Sequence, residues 1–121
     1  KGDICRVHSD RYACEHSLSL LLAASDDAAW PLEVGSQHID TPRQRADADF
    51  GDEAYGSVAM LPGDAVLYQG VHRLHGRMMP NPNRWSAHLF LHWVDPAGPY
   101  AAEAFEGKAI PPTEALAMER A

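Results

Sequence analysis

Residues 62–94, PGDAVLYQGVHRLHGRMMPNPNRWSAHLFLHWV, decide how the chain reads. Pro62-Gly63-Asp64 is turn chemistry, and Ala65-Val66-Leu67-Tyr68 is a short apolar run with β-formers, which predicts a buried strand. Gly70 breaks it. Pro80-Asn81-Pro82-Asn83 forms a second turn cluster, and Arg84 to Val94 is strand-like again. Alternation there puts Ala87, Leu89, Leu91 and Trp93 on one face and Arg84, Ser86, His88, Phe90 and His92 on the other. A face that carries Arg, Ser and His beside apolar residues predicts a lined pocket. His75 falls in an irregular connection between the two strands, where a rigid support can offer it to a metal ion.

Working outward, the matching residues lie near the start, in Val7-His8-Ser9-Asp10. In an extended chain His8 and Asp10 share a face, so an imidazole and a carboxylate can converge on one ion. A His-x-Asp pair plus one distant His is the two-His-one-carboxylate arrangement, which leaves open positions on Fe(II). One carboxylate against a dication leaves about one positive charge, which an anionic co-substrate can meet. The distal ligand is His75 or, as the alternative, His72.

His8-Ser9-Asp10, Leu74-His75-Gly76 and Arg84-Trp85-Ser86, taken in order, resemble the HxD…H…RxS pattern of the 2-oxoglutarate- and Fe(II)-dependent dioxygenases. His8 to Cys14, Trp30-Pro31-Leu32, Gly63 to Gly70 and Phe90 to Asp95 are similar to a small bacterial subgroup that is prolyl 4-hydroxylase-like. The resemblance runs to about Lys108. It implies that His8, Asp10 and His75 hold iron, and that Arg84 and Ser86 bind the distal carboxylate of 2-oxoglutarate, with Arg77 as the alternative anchor. It also implies an all-β double-stranded β-helix (jelly roll, cupin-like), in which Ser17–Leu22 and Trp30–Val34 form a hairpin. The activity implied is hydroxylation of an unidentified small-molecule or peptide substrate, using O2 and releasing succinate and CO2. The alternatives are a cupin-like metal-binding module, although the fuller His set with a Glu is lacking, and a non-catalytic oxygenase fragment.

Composition bounds these readings. A chain of 121 residues with 45% hydrophobic content reads as one domain over residues 1–121. Only seven residues precede His8 and the first residue is Lys1, so the expectation is an oxygenase core shortened at its N-terminus. That start leaves the His8 strand on an open edge and predicts self-association through it. A net charge of −7 argues against nucleic acid as a partner. The longest apolar run, Leu18 to Ala24, is too short to cross a membrane. Cys5 and Cys14 read as free thiols of a reducing cytoplasm.

The rest of the chain reads as follows. Ile4 to Asp10, Ser17 to Leu22, Trp30 to Val34 and Ser57 to Met60 are expected strands, the second a core strand. Residues 35–55 form a long polar loop suited to a lid role. Ala101 to Phe105 reads as a helical turn, and Glu114 to Arg120 as a short C-terminal helix behind the N-cap Thr113. Trp30, Trp85 and Trp93 read as core residues, and His16, His38, His72, His88 and His92 as satisfied pocket or surface histidines. Asp26-Asp27 and Asp47/Asp49 read as solvated acidic turns.

Overall fold

The computed structural model describes residues 1–43 and 45–108. The helix expected over Glu114–Arg120 lies outside them. The described chain is mostly β-sheet, with two short 3-10 segments at Tyr12–Cys14 and Ala101–Gly107. The strands are β1 (Cys5–His8), β2 (His16–Ala24), β3 (Leu32–Gly35), β4 (Tyr55–Val58), β5 (Ala65–Tyr68), β6 (His75–Arg77) and β7 (Ser86–Trp93). They form two antiparallel sheets, β1-β6-β3-β4 and β5-β2-β7. Two expectations fail here. β2 and β3 do not form a hairpin, because they belong to different sheets. His75 does not sit in an irregular connection, because residues 75–77 form a strand between β1 and β3.

Alternation along β1 and β6 sorts the side chains. Val7 and Leu74, both fully buried, pack with Phe50 on the face of the first sheet that turns away from the second, beside Ile39 and Met78. Fully burying a side chain of this kind contributes about 1.5–3 kcal/mol. This is the work of the long loop. Its backbone at Asp47 pairs with Val7 in both directions, at 2.9 and 2.8 Å. Arg43 N–H donates to Ser9 Oγ at 2.6 Å. The loop therefore braces the outer side of β1, an edge strand, and no described residue of 36–54 lines the cavity that a lid would cover.

Between the sheets, Leu21, Leu32 and Met60 form a second core with Val34, Val66 and Tyr68. The rest of the interlayer space is a cavity. β2 turns Ser17 and Ser19 inward, both fully buried. They lie in register with His92 and Phe90 of β7, and their small size keeps the space open. The apolar parity of this sheet consequently faces outward: Leu67 is 70% exposed, Trp93 47%, and Leu22, Leu89 and Leu91 are exposed as well. Of residues 65–68, expected as a buried strand, Val66 and Tyr68 pack on the core while Ala65 and Leu67 are exposed, and the core placement of Trp85 and Trp93 does not hold.

The β6–β7 connection is held by Asn83, which is buried. Its Oδ1 accepts from the Asp26 and Ala28 N–H groups at 3.3 and 3.1 Å, and its Nδ2 donates to Ala28 O at 2.9 Å. The Pro80–Asn83 turn is thereby fastened to the turn after β2, which fixes where β7 begins. At Gly63, φ is +94°, and Asp64 N–H donates to Leu61 O at 2.9 Å; this is the turn expected at Pro62-Gly63-Asp64.

Candidate metal centre

His8 ends β1 and His75 begins β6, and the two are register partners. Adjacent antiparallel strands therefore place the imidazoles side by side, ring centres 4.6 Å apart. Asp10 lies just past the end of β1. Its N–H donates to Gly70 O at 2.8 Å, which turns the carboxylate back over the strand ends. Asp10 Oδ1 is 3.3 Å from His8 Nε2, and Oδ2 is 3.4 Å from His75 Nε2. One ligand atom from each of the three lies within 4.8 Å of the others.

The other ring nitrogens fix the tautomers. His8 Nδ1 meets Arg6 O at 2.6 Å, and His75 Nδ1 meets Arg73 O at 2.9 Å. A carbonyl only accepts, so each Nδ1 carries the hydrogen. In the neutral rings each Nε2 then offers its lone pair to the side where Asp10 sits. This donor set, two imidazole nitrogens and one carboxylate with the remaining positions open, fits a divalent first-row ion such as Fe(II).

Electrostatics follow from the same contacts. Burial pushes the Asp10 carboxyl up, but the hydrogen bonds from His75 and His8 outweigh it and hold it well below the usual carboxylate range. Without a metal ion, the hydrogen bond to Asp10, followed by one to Cys5, pushes His8 up to about 10. Tyr68 leans against His75 with ring centres 4.6 Å apart. Burial raises its phenol above the ordinary value, and the charge of Asp10 adds to the effect.

The triad opens into a cavity of about 550 Å³ lined from both sheets. Arg84, Ser86, His88, Phe90 and His92, the polar parity read from the sequence, all contribute to its wall. Ser86 Oγ accepts from Asn81 Nδ2 at 3.0 Å and lies 3.2 Å from His88 Nε2. His88 Nδ1 is buried without a partner among the described residues; burial, then the nearby Arg77, lower its pKa.

The two candidate anion anchors are placed very differently. The Arg84 side chain is 73% exposed, with Nε 3.6 Å from Asp26 Oδ1. Arg77 is 4% exposed and lies two residues along β6 from His75, on the same face. Its guanidinium donates to Trp30 O, approaches Met60 Sδ at 3.8 Å and lies 4.8 Å over the Trp30 ring. No carboxylate among the described residues pairs with it, and burial lowers its pKa. His72 stands apart from the triad: its Nδ1 bonds Ile39 O at 2.8 Å and its ring stacks on His38 at 4.5 Å.

Sequence reasoning missed Trp30 and Tyr68 as cavity walls. For Arg77 the signal was present, since the His-x-Arg spacing in a strand puts both side chains on one face. Among the described residues no helix is long and apolar enough to cross a membrane. Comparison of the chain with protein-family models, with curated proteins and with solved structures found no match.

Proposed function

We propose that the two-sheet fold is a double-stranded β-helix (jelly roll) and that the chain is a 2-oxoglutarate-dependent Fe(II) dioxygenase that hydroxylates a small-molecule or peptide substrate. The observation that carries this reading is the convergence of His8 Nε2, Asp10 and His75 Nε2 in the wall of an interlayer cavity, with both Nδ1 atoms committed to backbone carbonyls. These three groups would hold Fe(II). Bound there, the metal would supply the activation of O2 that couples conversion of 2-oxoglutarate to succinate and CO2 with insertion of one oxygen atom into the substrate.

The chain's own residues do the rest. The Arg6 and Arg73 carbonyls orient the two imidazoles. Gly70 O holds the Asp10 backbone. Arg77 serves as the anchor for the distal carboxylate of 2-oxoglutarate: it is a buried guanidinium on the His75 face, without a carboxylate partner, in the wall of the same cavity. A planar fork meeting a carboxylate in a low-dielectric site is the strong form of that contact. Trp30, stacked on the guanidinium, keeps water from it and fixes its plane. Phe90 and Trp85 give the cavity the apolar wall against which a substrate would pack.

The test is an anaerobic titration of the chain with Fe(II) and then 2-oxoglutarate. The weak visible charge-transfer band of a chelated keto acid is expected. Metal binding without that band would leave a metal-binding module in place of the oxygenase.

A further inference from the structure

Asp10 faces a second set of ligands. Asp10, Cys14 and His92 also bring one ligand atom each within 4.8 Å of one another. The three come from different parts of the fold: the segment after β1, the 3-10 turn Tyr12–Cys14, and the inward face of β7. Cys14 is 3% exposed, and its N–H donates to Arg11 O at 2.9 Å, which fixes the turn. Ser17, the register partner of His92, places its Oγ 2.9 Å from His92 Nδ1 and 3.2 Å from Cys14 O. This hydroxyl sets the imidazole plane and ties the histidine to the cysteine turn.

The backbone closes the far side. At Gly70 a Cβ would stand 2.5 Å from Cys14 O, 2.6 Å from Asp10 Oδ2 and 2.6 Å from Ser17 Oγ. Only a glycine lets this segment lie against the three groups. The Gly70 segment thus packs against Asp10 and the Cys14 turn, and the Ser17 hydroxyl links that turn to His92.

The donor chemistry differs from that of the first triad. A thiolate, an imidazole and a carboxylate form a softer set, of the kind that takes Zn(II). We propose that Asp10, Cys14 and His92 form a second divalent-cation site, preferring Zn(II), that shares Asp10 with the His8/Asp10/His75 site. On binding, the Cys14 thiol releases its proton to solvent and the ion takes the sulfur lone pair. The binding itself stands on this geometry alone.

Cobalt(II) is the probe, titrated into the full chain and into the Cys14→Ser, Cys5→Ser and His75→Ala variants. A near-ultraviolet thiolate-to-cobalt charge-transfer band is expected in the wild type, in Cys5→Ser and in His75→Ala, which keeps all three ligands of the second site. Cys14→Ser should lose the band while keeping the visible d–d bands of the first site. Zn(II) affinity should fall at least 10- to 100-fold in Cys14→Ser, with Mn(II) affinity unchanged. Where Cys14→Ser does not fold by circular dichroism, His92→Ala repeats the zinc measurement. No charge-transfer band in the wild type at saturating cobalt, a band that survives Cys14→Ser, or zinc affinity unchanged in the variant used would each overturn the site. Failure of the proposed function reads differently, as a chain that binds cobalt yet gives no keto-acid band with Fe(II) and 2-oxoglutarate.

Discussion

Replacing Arg77 by alanine separates an anion anchor from a structural arginine. Arg77 donates to one backbone carbonyl and lies 4.8 Å over the Trp30 ring. A hydrogen bond from a charged group contributes about 1.5–3 kcal/mol and a cation–π contact about 0.5–2 kcal/mol. Against these stands the several kcal/mol that it costs to bury a guanidinium lacking a carboxylate partner. Terms of similar size and opposite sign leave the ligand-free stability within about 2 kcal/mol of the wild type.

Affinity for 2-oxoglutarate has no such cancellation. Losing a charge-assisted pair costs on the order of 2–4 kcal/mol, or roughly 30- to 1000-fold in Kd. Arg77→Lys keeps the charge and loses the fork, so it should fall between. Arg84→Ala gives the contrast. An exposed pair like Arg84–Asp26, at 3.6 Å, is worth no more than about 1 kcal/mol, so affinity should change less than about 5-fold. Calorimetric titration of 2-oxoglutarate into Mn(II)-loaded protein, with denaturant melts of the same variants, measures both quantities. A larger affinity loss in Arg84→Ala than in Arg77→Ala would refute the reasoning.

Three further outcomes follow from the centre itself. His75→Ala should abolish binding of Mn(II) followed by electron paramagnetic resonance while His72→Ala leaves it intact; the reverse pattern would move the distal ligand to His72. His8, at about 10 in the metal-free fold against an ordinary 6.5, stabilises that fold fully below about pH 6.5, and the stabilisation is lost as pH rises through about 10. Metal affinity runs the other way, because the ion needs the neutral ring: it should rise up to about tenfold per pH unit near neutrality, with about one proton released per ion, and pH-independent binding with no proton release would contradict the His8–Asp10 pairing. Gly70→Ala should lower stability by about 1–3 kcal/mol and weaken Mn(II) binding, since its methyl group would push on Asp10 Oδ2; wild-type values in both assays would mean that the segment shifts freely.

How far these features were legible in the sequence depends on which interaction decides each one. The triad needs little more than parity. His-x-Asp on an extended chain and one distant His specify it, and the strands only have to bring residues 8 and 75 into register, as they do. The polar wall of β7 was legible for the same reason. The exposure of Arg84 was not, because residue spacing gives reach and says nothing of direction. Asp26 lies on the turn that Asn83 fastens beside the start of β7, and it draws Arg84 into solvent. Arg77 is led inward by the two-residue period that it shares with His75 in β6. The misplaced core has one physical origin. In the β5-β2-β7 sheet the interior parity carries Ser17, Ser19, His88 and His92 beside Leu21, Val66 and Tyr68, because that side faces the cavity. Leu67 and Trp93, expected in the core, are outside as a consequence, together with Leu89 and Leu91, whose side of β7 the alternation already set against the pocket face. Where polar parity points inward along neighbouring strands, the hydrophobic pattern marks the outer face of the sheet, and the inverted pattern is itself the sequence signal for a site.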